Sequence, residues 1–160
     1  MNPTQILLAD DDRRVRDAAS RALQAQYPDA IIIHVRDAVS AIQVMRTHRF
    51  DVIVTDLFLS GATASEVRSE HSGIGTGYHV AEAAGATPGQ GPVYVVTSDD
   101  TIDEVPHASA VVHTQDPQWL DDLITKLDRP SETATPRSRV DKILLVQASL
   151  LLSVGLLLVL

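Results

Sequence analysis

The chain has 160 residues, 44% of them hydrophobic and 21% charged, so intrinsic disorder of the whole chain is excluded. It contains no cysteine, which excludes disulfides, thiolate nucleophiles and cysteine-ligated metal sites. The formal net charge is −8 at pH 7 and the longest basic run is the pair Arg13-Arg14, so we expect no nucleic-acid partner.

The hydrophobic pattern predicts a strand–helix unit repeated about five times. Short apolar runs bounded by charged or turn residues predict buried strands, and apolar residues every three or four positions predict helices. In chain order these are strand 6–9, helix 13–26, strand 30–35, helix 39–45, strand 51–55, helix 77–86, strand 93–96, strand 110–112 and helix 117–127. Asp116 is the predicted N-cap of the last helix and Pro117 its first residue. Such strands are typical of a parallel sheet covered by helices on both faces.

The C-terminal region predicts two further segments after a domain at 4–128. Residues 129–142 are polar and predict a linker, whereas residues 143–160 carry no charge and include nine leucines. Eighteen helical residues would span about 27 Å, close to the hydrocarbon thickness of a bilayer. We therefore expect a C-terminal hydrophobic helix that anchors the domain in the inner (cytoplasmic) membrane.

The flanking charges predict the orientation of that anchor. Arg137, Arg139 and Lys142 precede it, which favours a cytoplasmic location for the domain. Two alternatives stay open: a buried or dimerising helix, with a cytoplasmic protein as the result, or the first span of a longer protein. The N-terminus has no basic region, so no secretory signal is expected.

Acidic residues follow two of the predicted strands. Asp10, Asp11 and Asp12 come directly after the first strand, and Asp56 follows the third. Because the carboxyl ends of parallel strands share one edge, these side chains are expected to converge, which is costly without a cation. We infer a Mg²⁺-type site at Asp10, Asp11 and Asp56. The alternative is that the three consecutive aspartates only cap the first helix.

Four motifs resemble response-regulator receiver domains of two-component signalling. Residues 6–12 (ILLADDD) are similar to the opening strand and acidic pair of that family, and residues 51–57 (DVIVTDL) to the strand that carries its phosphoacceptor aspartate. Residues 92–98 (PVYVVTS) are similar to the strand that ends in its switch Ser/Thr. Residues 111–117 lie where the family has a strand, a Lys-Pro pair and the last helix.

The resemblance implies a flavodoxin-like α/β fold, with a five-stranded parallel sheet and flanking helices. It implies that Asp56 accepts a phosphoryl group from a histidine kinase or phosphotransfer protein. Asp10, Asp11 and Asp56 would hold Mg²⁺ with the backbone carbonyl of Phe58, and Thr97 would bind a phosphoryl oxygen. The chain would not be an enzyme beyond self-phosphorylation and autodephosphorylation at Asp56. Its output would pass to an unidentified downstream protein partner.

This chain departs from the family pattern at several positions. His113 replaces the active-site lysine, Thr114 replaces the following proline, and Ala110 occupies the position of the aromatic switch residue. A Gly/Ser-rich segment at 60–76, predicted to be a flexible loop, lengthens the chain beside the acidic site. A shortened segment between Thr97 and His113, which contains a proline, predicts a reduced fourth helix.

These departures favour an atypical receiver and leave two alternatives. One is a phosphorylation-independent pseudo-receiver, in which the loop at 60–76 or the helix at 117–127 binds a partner protein. The other is a phosphatase of the haloacid-dehalogenase type with Asp10 as nucleophile, because residues 10–12 contain an Asp-x-Asp motif after a strand.

Overall fold

The elements observed in a computed structural model follow the order predicted from the sequence. The structure describes residues 4–59 and 76–128. In that part it contains β1 Gln5–Ala9, α1 Arg13–Gln26, β2 Ile31–Val35, α2 Ala38–Thr47, β3 Val52–Asp56, α3 Gly77–Ala86, β4 Val93–Thr97, β5 Ala110–His113 and α4 Trp119–Asp128. The predicted strands and the first three predicted helices agree with these bounds to within two residues.

The five strands form one parallel sheet in the order β2-β1-β3-β4-β5. This is the flavodoxin-like order, and it confirms the predicted fold of the domain. The strand order reverses between the neighbouring strands β1 and β3. We call the edge where the strands end the carboxyl edge, and the opposite edge the amino edge.

Helices cover both faces of the sheet because successive side chains of each strand point to opposite sides. On one face, Leu7 and Ala9 of β1 are buried in the layer that includes α2 and α3. On the other face, Ile6 and Leu8 are buried with residues of α1 and α4, among them Leu23 and Leu123. Strand β4 is buried along its whole length, as expected for an interior strand.

The segment 98–109 between β4 and β5 contains no helix. The sequence predicts about five strand–helix units, whereas the described residues contain five strands and four helices. Local hydrogen bonds compete with a helix here: the Asp99 carboxylate accepts from the backbone N–H of Thr101 at 2.9 Å and from its hydroxyl at 2.6 Å. Pro106 removes a backbone donor, and His107 has a φ of 67°.

The last helix begins later than predicted. Helix α4 starts at Trp119, whereas the sequence predicts a start at Pro117 with Asp116 as the N-cap. The Asp116 carboxylate instead accepts the Gln118 N–H at 2.8 Å, and the Asp116 carbonyl accepts the Trp119 N–H at 3.0 Å. These bonds close a turn before the first regular helical bond, which runs from Asp122 to Gln118.

Two sets of side-chain hydrogen bonds hold the amino edge together. Gln90 accepts the Phe50 N–H at 3.0 Å and donates to the carbonyls of Met45 and His48, both at 2.8 Å. Asp128, the last residue of α4, accepts from the Tyr27 hydroxyl at 2.9 Å and from the Gln26 side chain at 3.0 Å. Burial and the hydrogen bond to Asp128 raise the pKa of Tyr27 to about 12. The ends of α1 and α4 are thus joined at this edge.

Three predicted segments lie outside the described residues: the loop at 60–76 apart from Thr76, the linker at 129–142 and the apolar helix at 143–160. Among residues 4–59 and 76–128, no helix is both long and apolar enough to cross a membrane.

Candidate functional site

The structure brings the carboxylates of Asp10, Asp11 and Asp56 together at the carboxyl edge. One oxygen from each lies within 4.8 Å of the others. The convergence follows from the sheet, because β1 and β3 are neighbours in which Ala9, the last residue of β1, is paired with Thr55, the residue before Asp56. The cluster lies at the point where the strand order reverses, which is where open α/β sheets bind ligands.

Asp10 is the buried member of this cluster, with 4% of its surface exposed. Burial, followed by the charge of Asp56, raises the pKa of Asp10 to about 7. The Asp12 N–H, which donates to the Asp10 carboxylate at 2.8 Å, acts in the opposite direction. Without a cation, the ionised form of Asp10 is therefore less favoured than that of an exposed carboxyl group.

Asp56 ends β3 and is half-buried. Burial raises the pKa of its carboxyl group, and the charge of Asp11 raises it further. The backbone N–H groups of Phe58 and Leu57 bind the Asp56 carboxylate and lower its pKa in part. These two donors also orient the carboxylate at the carboxyl edge.

Asp12 has a different task from its two neighbours. It is the N-cap of α1, and its carboxylate accepts the Arg14 N–H at 2.7 Å. The capping alternative therefore describes Asp12, whereas Asp10 and Asp11 face Asp56. The remaining set of three carboxylates offers only oxygen ligands, which is the chemistry that Mg²⁺ prefers. The raised pKa of Asp10 also fits a site that a divalent cation would neutralise.

Thr97 lies beside this cluster at the end of β4. Its neighbour Val96 is paired with Asp56 across the two strands, and only 1% of Thr97 is exposed. The Thr97 hydroxyl oxygen accepts the Asp99 N–H at 3.1 Å, so the hydroxyl proton is directed elsewhere. Its predicted contact with a phosphoryl oxygen stays a prediction.

His113 is paired with Thr97 across β4 and β5, but its ring is bound by the segment 98–109. Nδ1 lies 3.2 Å from the Asp99 carbonyl oxygen, and Nε2 lies 3.6 Å from a carboxylate oxygen of Asp103. Among the described residues, the group that could hold a metal contains the three aspartates and not His113. The metal role of the Phe58 carbonyl also stays a prediction; the Phe58 side chain is 46% exposed.

Gly77 contacts the site and was not singled out from the sequence. It is the first residue of α3, and a Cβ added there would lie 2.0 Å from the Asp56 carbonyl oxygen. Its N–H donates to the Leu57 carbonyl at 2.8 Å. Only glycine lets α3 approach the backbone of Asp56 so closely. A glycine at the first position of a predicted helix was the available signal.

Arg16 also contacts the site and is not predicted from the sequence pattern. It lies in the first turn of α1 and is 6% exposed, and its Nη1 donates to the Asp10 carbonyl at 2.7 Å. Its spacing relative to Ala19 and Leu23, the other buried residues of α1, placed it on the buried face.

No protein-family model matches the chain, and no curated protein matches it. Solved structures of receiver domains are similar to it. The signal receiver domain of the response regulator NarL from Mycobacterium tuberculosis has a TM-score of 0.56 at 16% identity, covering 81% of this chain and 100% of that one. The chain has the receiver-domain fold.

Two further structures support this fold. The response regulator TrrA from Thermotoga maritima, solved in complex with Mg²⁺ and BeF, has a TM-score of 0.60 at 16% identity, covering 78% of this chain and 96% of that one. The chemotaxis response regulator CheY4 of Vibrio cholerae has a TM-score of 0.57 at 17% identity, covering 78% and 98%.

Proposed function

We propose that this chain is the phosphoacceptor receiver module of a two-component phosphorelay, with Asp56 as the acceptor. The observation that supports the proposal most is the convergence of Asp10, Asp11 and Asp56 at the carboxyl edge of a receiver fold. The TrrA structure with Mg²⁺ and BeF shows that one protein of similar fold was solved with this metal and a beryllium fluoride. The partner is a histidine kinase or a phosphotransfer protein.

In the proposed reaction, a carboxylate oxygen of Asp56 forms a bond to the phosphorus of a phosphohistidine. The nitrogen–phosphorus bond breaks, and the histidine nitrogen keeps the electron pair and takes up a proton. The N–H groups of Phe58 and Leu57 hold the attacking carboxylate in place. The Thr97 hydroxyl, whose oxygen already accepts a hydrogen bond, donates to a phosphoryl oxygen.

Asp10, Asp11 and Asp56, together with the Phe58 carbonyl, would hold Mg²⁺. When bound, the ion supplies positive charge that offsets the charge on the phosphoryl oxygens. The chain itself would catalyse nothing beyond its own phosphorylation and dephosphorylation. His113, at the end of β5, takes the position of the family's lysine, and its ring contacts Asp99 and Asp103 of the segment 98–109.

Intact-mass measurement after incubation with Mg²⁺ and acetyl phosphate tests the acceptor. We expect the wild-type chain to gain one phosphoryl group and the Asp56→Asn variant to gain none, since the amide is not a nucleophile for this transfer. Asp51→Asn is the matched control, because Asp51 precedes the same strand at the amino edge, where its carboxylate accepts the Gln5 N–H at 2.8 Å. This variant should be phosphorylated like the wild type.

Two results would contradict the assignment. An adduct that persists in Asp56→Asn but is lost in Asp10→Asn would identify Asp10 as the nucleophile and favour the haloacid-dehalogenase type of chemistry. No adduct in the wild-type chain would favour the phosphorylation-independent pseudo-receiver. The observation behind that second candidate is that both ring nitrogens of His113 face the segment 98–109.

We further propose that residues 143–160 tether the domain to the cytoplasmic face of the inner membrane. The support is the run of 18 residues without charge, nine of them leucine, after a segment with basic residues. The full chain is expected in the membrane pellet after high-speed centrifugation, resistant to high salt and released by detergent. A variant that ends at Lys142 is the control and should stay in the supernatant. A full chain that stays there without detergent would contradict the tether.

A further inference from the structure

A buried positive charge lies next to the carboxylate cluster. In the part of the chain that the structure describes, the buried polar or charged residues are Asp10, Arg16, Thr55 and Thr97. Arg16 is the one cation among them. Burying a guanidinium is costly in free energy unless its N–H donors have hydrogen-bond partners. The buried position of Arg16 therefore needs a physical explanation.

The contact of Arg16 is with the backbone of Asp10, where Nη1 donates to the carbonyl oxygen at 2.7 Å. Two other bonds complete the support of that residue: the Asp10 N–H donates to the Val35 carbonyl at 3.1 Å, and the Asp10 carboxylate accepts the Asp12 N–H at 2.8 Å. The N–H, the carbonyl and the carboxylate of Asp10 are thus each bound by a different residue.

We propose that Arg16 is a positioning residue for the metal site: its hydrogen bond to the Asp10 carbonyl sets the direction in which the Asp10 carboxylate enters the cluster. The inference rests on the proposed Mg²⁺-dependent function. Within residues 4–59 and 76–128, no carboxylate lies within ion-pair distance of Arg16. Arg16 therefore supports Asp10 without occupying a carboxylate oxygen that would bind the cation.

The side-chain chemistry explains why arginine suits this position. The guanidinium is planar and rigid, keeps its charge when buried, and aims several donors in fixed directions. The Arg16 N–H donates to the Asp12 carbonyl at 3.0 Å, so the residue is anchored in the first turn of α1. The Arg16 side chain thus connects the first turn of α1 to Asp10, which follows the end of β1.

Charge and position predict opposite effects on Mg²⁺ affinity, which makes the proposal testable. If Arg16 acted only through its charge, its removal would tighten the binding of a divalent cation. If it positions Asp10, its removal weakens binding, and lost support of a metal ligand typically costs 10–100-fold in affinity. We expect Arg16→Met to raise the Mg²⁺ dissociation constant roughly tenfold or more. Arg16→Lys should raise it less, because an ammonium group can still donate to the carbonyl.

The experiment is titration calorimetry of the full chain with Mg²⁺, with thermal unfolding measured on the same samples. Gln90→Ala is the control for a general loss of stability, since it removes three side-chain hydrogen bonds at the amino edge. It should lower the melting temperature and leave the dissociation constant within twofold of the wild type.

Unchanged or tighter binding in Arg16→Met would overturn the proposal, as would an equal loss of affinity in Gln90→Ala. If Arg16→Met does not fold, the comparison of Arg16→Lys with Gln90→Ala decides in the same way. Failure of the proposed function is a separate result, because it would appear as a wild-type chain that takes no phosphoryl group on Asp56 while the calorimetric difference persists.

Discussion

Without divalent metal, the Asp10→Asn variant is expected to be more stable than the wild-type chain above pH 7, by up to about 4 kcal/mol. The reason is the pKa of Asp10, which burial and the charge of Asp56 raise from 3.8 to about 7. At alkaline pH the wild-type fold must hold this carboxylate ionised in a buried, negatively charged place. An asparagine of nearly the same shape carries no charge, so the variant avoids this penalty.

The pH dependence has a definite sign. Because the pKa of Asp10 in the folded chain is above its unfolded value, the folded state binds the proton more tightly than the unfolded state between pH 4 and 7. The contribution of Asp10 to stability is therefore most favourable at pH 4 and below, falls as the pH rises to about 7, and is constant above. Chemical unfolding at pH 5 and pH 8 should show this loss in the wild type and a much smaller one in Asp10→Asn.

Addition of Mg²⁺ should reduce the difference in stability between Asp10→Asn and the wild type. Ligand that binds only the folded state raises the melting temperature, so the wild type gains stability and Asp10→Asn does not. Asp12→Asn is the control, since asparagine is also a good N-cap and Asp12 lies outside the cluster. It should keep the Mg²⁺ response. If Asp10→Asn responded to Mg²⁺ like the wild type, the assignment of Asp10 as a ligand would be wrong.

A methyl group added at Gly77 is expected to destabilise the domain and to abolish Mg²⁺ binding. In the structure a Cβ at this position would lie 2.0 Å from the Asp56 carbonyl oxygen and 2.9 Å from the Leu57 Cα. Neither neighbour is a flexible side chain, so the backbone that carries Asp56 must move. Overpacking of this kind costs about 1–3 kcal/mol. It also shifts Asp56 relative to Asp10 and Asp11.

Gly91→Ala provides a matched control at the other end of β3. A Cβ there would lie 2.0 Å from the Asp51 carbonyl oxygen, the same distance as in the first clash, but at the amino edge. Both variants should melt at lower temperature than the wild type, and only Gly77→Ala should lose Mg²⁺ binding and phosphorylation of Asp56. Equal Mg²⁺ affinity in the two variants would show that α3 does not constrain the acceptor.

Much of the fold could be predicted because short apolar runs mark strands that are buried on both faces. The clustering of Asp10, Asp11 and Asp56 could also be predicted, since strand ends of a parallel sheet share one edge. The start of α4 could not, because the Asp116 side chain closes a turn that competes with the first helical bonds.

The orientation of the His113 ring could not be predicted, because it depends on contacts with Asp99 and Asp103. These residues lie in the segment 98–109, where no regular spacing of hydrophobic residues indicates the local structure. Arg16 was missed for a related reason. A hydrophobic pattern counts an arginine as polar and exposed, whereas here its guanidinium satisfies a backbone carbonyl inside the fold.

The hydrogen bonds of Asp128 to Tyr27 and Gln26 join the end of α4 to the end of α1. Asp128 lies at the amino edge, whereas the three carboxylates lie at the opposite edge of the sheet. The length of the sheet thus separates the joined ends of α1 and α4 from Asp56. In the proposed reaction, a phosphodonor would therefore approach Asp56 from the edge of the sheet opposite Asp128.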